Sequence, residues 1–185
     1  MDHLSNEEYL ALERSAESRS EYIDGRVVPR MSGNWDHALI IGNLASELNQ
    51  RLKSRPFLTF MIFRVRVPAV NLYAYPDVLV VSDEPLFEDE HQDSLLNPTL
   101  IVEVLSPLTE AYDRGRKFEY YGKLESLKEY ILVAQDKPRV EHYLRQDSHV
   151  WLYKSVAGLE GTLSLSSIRC EVPLAEIYEK VDFAD

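Results

Sequence analysis

The sequence predicts an α/β fold in which helices flank a mixed central β-sheet. Apolar runs typical of buried strands alternate with stretches whose apolar residues recur every three or four positions, as they do in helices. The predicted order is helix, hairpin, helix, three strands, helix, several strands and helix, which suits helices packed on a sheet. With 185 residues, 45% of them hydrophobic, the chain can close one core, so we expect a single domain over residues 1–185.

Two local signals organise the first 30 residues. Ser5 followed three residues later by Glu8 forms a capping box, which predicts a short helix that ends near Arg14. Asp24 and Gly25 form a dipeptide favoured in tight two-residue turns, and apolar residues flank it on both sides. We therefore expect a β-hairpin directly after the first helix.

The middle of the chain predicts a long helix and three strands. Apolar residues recur at helical spacing over residues 36–52, which indicates an amphipathic helix that covers a sheet. Residues 57–68, 75–81 and 99–105 are rich in β-branched and aromatic residues and predict strands. The acidic stretch at 82–93 lacks periodicity and is typical of a solvated loop.

The rest of the chain continues the alternation of helix and strand. Thr109 can cap a helix that extends to about residue 126. Three further strands are predicted in "EYILVAQ", "RVEHYLR" and "HVWLYKS", and two shorter ones in 162–172. The segment "PLAEIYEK" predicts a closing helix.

The overall charge argues against a protein that binds nucleic acids indiscriminately. The formal net charge is −11, and neutralising phosphates requires lysine and arginine. The basic residues nevertheless gather in 51–55, 63–67 and 113–117, so a local positive face is compatible with the sequence.

The cysteine count, the histidine spacing and the hydropathy limit the compartments and the metal sites that the sequence allows. Cys170 is the single cysteine and the five histidines are scattered, which excludes a disulfide framework and a zinc-knuckle spacing. The N-terminus is acidic where a secretory signal would be basic, and no apolar run approaches the roughly 20 residues that cross a bilayer. We expect a cytoplasmic protein without a membrane partner.

Two carboxylates stand in strands that are otherwise apolar. Asp77 opens one predicted strand and Glu103 lies within the next, and a lone buried carboxylate costs several kcal/mol or becomes neutral. Consecutive strands are neighbours about two times in three, so both side chains can reach one place. A divalent cation such as Mg²⁺ or Mn²⁺ would then hold them together. Alternatively, each carboxylate pairs with an arginine or lysine, or lies in water at the end of its strand.

Further charged residues lie close to these strands. Arg114, Arg116 and Lys117 follow the strand of Glu103, and ligands of open α/β sheets gather where strands end. Glu21 precedes an apolar strand pair and His37 opens the long helix. Taken singly, Glu21 is typical of a solvated acid and His37 of a helix start.

The motifs together resemble a known family. "EYIDGRVV" with a following histidine, "PDVLVV", "LIVEVLSP", "D..RK...Y" and "EYILV" are similar to the prokaryotic putative restriction endonuclease family of the PD-(D/E)XK nuclease superfamily. The similarity extends over about residues 20–135, and its most specific part combines "EVLSP" with the upstream "PD" and the downstream "D…K…Y". It implies a restriction-endonuclease-like fold.

The resemblance also implies roles for individual residues. Asp77 and Glu103 would bind Mg²⁺ or Mn²⁺, with Glu21 as an accessory ligand and His37 in an undefined role. The lysine that usually stands two residues after the glutamate is absent, because that position is Leu105. The family's lysine from the next helix corresponds to Lys117, which would orient the attacking water or contact the phosphate.

The sequence leaves three functions open. The first is a Mg²⁺-dependent DNA endonuclease, for which the resemblance and the need to cut two strands suggest a homodimer. The second is a module that keeps the nuclease fold and binds nucleic acid or protein without turnover. The third is a glycosidase with a carboxylate pair, in which the downstream lysine would have no task. If Lys117 lacks the assisting role, Arg114 or Arg116 is the next candidate.

Overall fold

The fold is known from a computed structural model, which describes residues 3–30, 33–82 and 84–183. The helical elements are α1 (Asn6–Ser15), α2 (Trp35–Leu52), a 3₁₀ turn (Pro68–Val70), α3 (Glu110–Tyr112), a π-helical turn (Asp113–Lys117), α4 (Phe118–Tyr121) and α5 (Leu174–Ile177). The strands are β1 (Ser20–Ile23), β2 (Arg26–Pro29), β3 (Phe57–Met61), β4 (Val65–Val67), β5 (Leu72–Ala74), β6 (Val78–Ser82), β7 (Leu100–Leu105), β8 (Glu129–Ala134), β9 (Arg139–Arg145), β10 (Trp151–Ala157), β11 (Thr162–Leu165) and β12 (Cys170–Pro173). The predicted order of helices and strands is present except between α2 and α3, where five strands lie in place of the three predicted.

A six-stranded mixed sheet forms the centre of the molecule. Its strand order is β10-β9-β8-β7-β6-β3, in which β7 and β8 are parallel and the other neighbours are antiparallel. The parallel pair requires a crossover connection, and the helical elements between residues 110 and 121 lie on it. This connection returns the chain across the sheet close to the end of β7.

The two faces of the central sheet carry different layers. Alternate residues of a strand point to opposite faces, so Val78, Val80 and Val102 join α2, α5 and the β11–β12 hairpin in one core. Leu79 and Ile101 join the second core, which contains the four-stranded sheet. Every second residue along β7 therefore faces the second core.

A smaller four-stranded sheet, with order β2-β1-β5-β4, is a feature that the sequence did not predict. The single predicted strand over 57–68 is wrong in this respect, because it divides into β3 of the central sheet and β4 of the small sheet. The division occurs at Ile62, which has a φ of 49°. A positive φ is a genuine outlier for a β-branched residue, and the N–H of Ile62 donates to the carbonyl oxygen of Asp77 at 3.1 Å.

The local signals near the N-terminus are confirmed. Both hydrogen bonds of the capping box are present, between Ser5 and Glu8. Asp24 and Gly25 connect β1 to β2 with φ values of 44° and 86°, as a tight primed turn requires. The resulting register pairs Glu21 with Val28.

The acidic segment and two arginines of the 63–67 cluster depart from the sequence prediction. Asp93 pairs with Arg64 at 2.6 Å and Glu88 with Arg66 at 3.2 Å, and both arginines are buried. The segment is therefore anchored on the small sheet instead of being a solvated loop. These two arginines add nothing to a positive surface, because a loop carboxylate covers each of them.

Candidate active site

A cleft of about 640 Å³ opens where β7, the β1–β2 hairpin and the start of α2 meet. Antiparallel pairing places the start of β6 beside the end of β7, so Asp77 and Glu103 reach the same place. The charged and titratable side chains that line the cleft are Glu21, Arg30, His37, Tyr75, Asp77, Glu103, Tyr112, Asp113 and Lys117. The adjacency of the two carboxylates, predicted from consecutive strands, is confirmed.

Asp77 accepts from two donors in different parts of the chain, and a histidine lies close to it. The backbone N–H of Val104 donates to Oδ2 at 2.8 Å, which couples Asp77 to β7. The Nη2 of Arg30 lies 2.5 Å from Oδ1. The Nε2 of His37 lies 3.4 Å from Oδ2. The carboxylate is thus buried and held in one orientation.

Glu103 is held from the helical crossover. The Nζ of Lys117 lies 2.9 Å from its Oε1, and the hydroxyl of Tyr121 donates to the same oxygen at 3.1 Å. Lys117 ends the π-helical turn and Tyr121 lies four residues further on. Single π turns are frequent at functional sites, and this one lies where the crossover meets the cleft.

Lys117 lies between three carboxylates. Besides Glu103, its Nζ lies 3.3 Å from Glu21 and 3.5 Å from Asp113. Asp113 precedes Lys117 by four residues, so one helical turn brings the two side chains together. The lysine is 6% exposed, so it is not a solvent-facing helix residue.

Carboxylates outnumber cations in the cleft, and burial raises the pKa of two of these carboxylates. Burial raises the pKa of Glu103 well above its usual range; the ammonium of Lys117 opposes this shift, whereas the nearby Asp77 adds to it. Burial also raises the pKa of Asp113, again against Lys117. Excess negative charge in a poorly hydrated site is the arrangement that a cation relieves.

Lys117 is a cation at neutral pH. Burial lowers its pKa, but the attraction of Glu103, Glu21 and Asp113 is larger in sum and raises the pKa well above the usual value. Lys117 can therefore donate hydrogen bonds and stabilise negative charge, but it cannot accept a proton. Burial lowers the pKa of His37 although Asp77 opposes the shift, so the imidazole is neutral at neutral pH.

The structure gathers most of the residues that the sequence singled out. Glu21, His37, Asp77, Glu103 and Lys117 all line the cleft. The two candidate arginines lie elsewhere: Arg114 pairs with Glu110 and Glu141, and Arg116 is exposed outside the lining.

Sequence reasoning missed Arg30 and gave no role to Tyr121. The hairpin register could have indicated Arg30, because a two-residue turn at Asp24 and Gly25 places the end of β2 beside Glu21. Tyr121 is the tyrosine of the "D..RK...Y" motif, and its ring is buried in the second core. The motif marked this position, but the contact of its hydroxyl with Glu103 comes from the structure.

Asp77 and Glu103 have the donor chemistry of a Mg²⁺ site. Both supply hard oxygen ligands, and Mg²⁺ keeps several waters and commonly needs only one or two carboxylates. Within residues 3–30, 33–82 and 84–183, no three side chains of His, Cys, Asp or Glu are grouped as a ready metal site. The carboxylates of Asp77 and Glu103 are the ligand set that fits Mg²⁺ here. Glu21 as an accessory ligand stays a prediction.

Comparisons with known proteins point to one family. The chain matches the model of the family described as Uma2, putative restriction endonuclease, over residues 6–174. Two proteins of Synechocystis sp. are similar. Uncharacterized protein sll1609 is 33% identical over 90% of this chain and 94% of its own, and uncharacterized protein slr1290 is 30% identical over 97% and 94%.

A solved structure has a similar fold. The crystal structure of a putative nuclease belonging to DUF820 from Anabaena variabilis superposes with a TM-score of 0.77 at 19% identity, covering 95% of this chain and 97% of that one. The likeness concerns the fold alone, and it confirms the predicted mixed α/β class. In the described part of the chain, no helix combines the length and apolar character needed to cross a membrane.

Proposed function

Since the chain belongs to the Uma2 family of putative restriction endonucleases, we propose that it is a metal-dependent endonuclease that hydrolyses phosphodiester bonds in DNA. The observation that carries this proposal is the meeting of Asp77, Glu103 and Lys117 in one cleft, although they come from different elements. Two carboxylates and a lysine are the functional groups that the resemblance requires, and the relocated lysine lies within hydrogen-bond distance of Glu103.

The residues of the cleft create the need for a cation. Four carboxylates and two permanent cations line it, namely Glu21, Asp77, Glu103, Asp113, Arg30 and Lys117. A cleft with this balance repels a phosphodiester by itself. A divalent cation held by Asp77 and Glu103 would supply Lewis acidity, lowering the pKa of a coordinated water and neutralising charge on the phosphate.

Lys117 acts as a fixed donor in this proposal. Its ammonium is charged at neutral pH and its position is set by three carboxylates, so it pays little entropy to orient a water or a phosphate oxygen. Asp113 and Glu21 aim the lysine, and Tyr121 donates to the same oxygen of Glu103 as the lysine contacts. His37 lies 3.4 Å from Asp77 and completes the wall of the cleft on that side.

We further propose that the protein acts as a homodimer. The described residues bring together one such set of side chains, whereas cutting both strands of a duplex requires two, and two-fold pairing is the commonest oligomer. Light scattering should then give twice the 21.4 kDa of one chain. A mass of one chain at working concentration would contradict the dimer.

Nicking of a supercoiled plasmid tests the proposed activity. We expect cleavage with Mg²⁺ or Mn²⁺, none with a chelator, and none from Asp77→Ala with either metal. Asp136→Ala is the matched control, because that aspartate is exposed and outside the cleft. Cleavage that persists in Asp77→Ala would contradict the assignment.

A second candidate function rests on one observation. Arg30 and Lys117 already pair with Asp77 and Glu103, so the carboxylates are compensated without a metal. A module that binds DNA without cutting it would retain DNA under both metals and leave the plasmid intact. The same plasmid assay, read together with a retention assay, separates the two functions.

A further inference from the structure

Arg30 contacts the oxygen of the Asp77 carboxylate that does not accept from the central sheet. It follows β2 directly, its Nη2 lies 2.5 Å from Oδ1 of Asp77, and its Nε donates to the carbonyl oxygen of Tyr75 at 3.4 Å. The other carboxylate oxygen, Oδ2, accepts from the backbone of Val104 inside the sheet. Arg30 therefore holds the oxygen that is not already committed to the sheet.

The two cations of the cleft differ in how firmly they are held. The side chain of Lys117 is 7% exposed and contacts three carboxylates. The side chain of Arg30 is 18% exposed and contacts one carboxylate and one carbonyl oxygen within the described residues. Arg30 can leave its partner at a lower cost than Lys117, because it loses one ion pair and is already closer to water.

A divalent cation and a guanidinium compete for the same carboxylate oxygen. Two positive groups on one oxygen repel each other at a few ångströms, and this repulsion is strong where water is scarce. A cation bound by Asp77 therefore displaces Arg30 from Oδ1. The displaced guanidinium still lines the cleft, and its planar fork of donors matches the oxygens of a phosphate.

We infer that Arg30 is a partner-exchanging residue that pairs with Asp77 in the metal-free protein and binds the substrate phosphate once a divalent cation occupies Asp77. The inference rests on the proposed function of the cleft and adds a phosphate-binding residue to it. It also explains why a buried carboxylate can be compensated in the metal-free protein and still be available as a ligand.

The exchange predicts opposite effects of one substitution on two measurements. Arg30→Met removes the competitor of the cation, so the metal-free protein should bind Mn²⁺ more tightly, by about tenfold, which is the size of one charge-assisted hydrogen bond. The same substitution removes the phosphate contact, so plasmid cleavage at saturating Mn²⁺ should fall by about a hundredfold. If Arg30 had only a structural role, Arg30→Met would weaken both Mn²⁺ binding and cleavage.

Calorimetric titration with Mn²⁺ and plasmid cleavage are measured on the same full-length variants. Arg30→Lys keeps the charge but loses the fork, so it should bind Mn²⁺ like the parent and cleave less well. Arg26→Met is the matched control, because Arg26 is exposed on β2, the strand that Arg30 follows, and lies outside the cleft lining. It should match the parent in Mn²⁺ affinity and in cleavage.

The outcomes separate this inference from the proposed function. If the parent binds Mn²⁺ and cleaves, and Arg30→Met binds no more tightly or cleaves equally well, the exchange is wrong and the endonuclease stands. If Arg30→Met fails to fold, Arg30→Lys decides: parent-like cleavage by it overturns the phosphate contact. A parent that neither binds Mn²⁺ nor cleaves overturns the endonuclease and the exchange together.

Discussion

Two networks of ion pairs in the described residues differ in their charge balance. One lies on the small sheet, where Arg14, Arg64 and Arg66 pair with Glu88, Asp89 and Asp93; we call it the arginine cluster. It has three cations and three carboxylates. The other is the cleft, in which four carboxylates surround two cations.

Asp93 of the arginine cluster and Glu103 of the cleft have pKa values that shift in opposite directions. In the arginine cluster, partial burial raises the pKa of Asp93, but Arg14 and Arg64 outweigh it and hold the pKa below the usual range. In the cleft, burial raises the pKa of Glu103 and the single ammonium of Lys117 does not offset it. The arginine cluster thus favours its charged carboxylates, whereas the raised pKa of Glu103 marks the cleft as the candidate functional site.

The largest expected effect comes from removing the central cation of the cleft. Lys117→Met should reduce plasmid cleavage by about a hundred- to a thousandfold, as for the loss of one positioned donor in an active site. Single-turnover cleavage at saturating Mn²⁺ measures it. Lys123→Met, on the same connection but exposed, should cleave like the parent. Parent-like cleavage by Lys117→Met would remove the functional distinction between the two networks.

The arginine cluster should respond in stability and not in cleavage. Asp93→Asn leaves the buried Arg64 without its carboxylate and should lower the free energy of unfolding by roughly 2–3 kcal/mol. This is less than for a fully buried pair, because Asp93 is a third exposed and Ser94 and Tyr75 still accept from Arg64. Urea unfolding measures the change, with Asp136→Asn as the exposed control. A loss of cleavage at full folding would show that the cluster serves the site.

The smallest effect is a difference in pH dependence. Glu103 has a raised pKa, so the folded state binds the proton of this carboxyl more tightly than the unfolded state does. The stability that the protonated Glu103 contributes at low pH is therefore lost as the pH rises above about 4.3. Asp93 has a lowered pKa, so its contribution is present above about 3.9 and is lost as the pH falls.

Urea unfolding of the metal-free protein between pH 5 and 8 tests this contrast. The free energy of unfolding of the parent should include a component that declines with pH, and Glu103→Gln should lack it. Asp93→Asn should keep that decline, because the Asp93 carboxylate that it removes titrates at lower pH. A decline of equal size in Glu103→Gln would show that Glu103 is not the group with the raised pKa.

Local patterns predicted those parts of the fold and the site that depend on neighbours in sequence. Capping by Ser5, the turn at Asp24 and Gly25, and the apolar strands around Asp77 and Glu103 each have a short-range physical cause. The meeting of the two carboxylates followed from the pairing of consecutive strands. The reach of Lys117 followed from the short connection between β7 and the crossover.

The features that were missed depend on distant contacts. Arg64 and Arg66 look like surface cations in sequence, but they are buried because the segment that carries Glu88 and Asp93 folds over them. The break at Ile62 needs a positive φ that no β-branched residue favours, so only tertiary contacts such as the one to Asp77 enforce it. Arg30 is 47 residues from Asp77 along the chain.

Anomalous diffraction from crystals soaked in Mn²⁺ tests most directly whether the cleft is built for a cation. We expect a single strong anomalous peak between the carboxylates of Asp77 and Glu103, with Arg30 moved away from Asp77 and Lys117 still in contact with Glu103. The peak should disappear in Glu103→Gln crystals soaked in the same way. A parent cleft without a peak at saturating Mn²⁺, with Arg30 still on Asp77, would show that the cleft is not built for a cation.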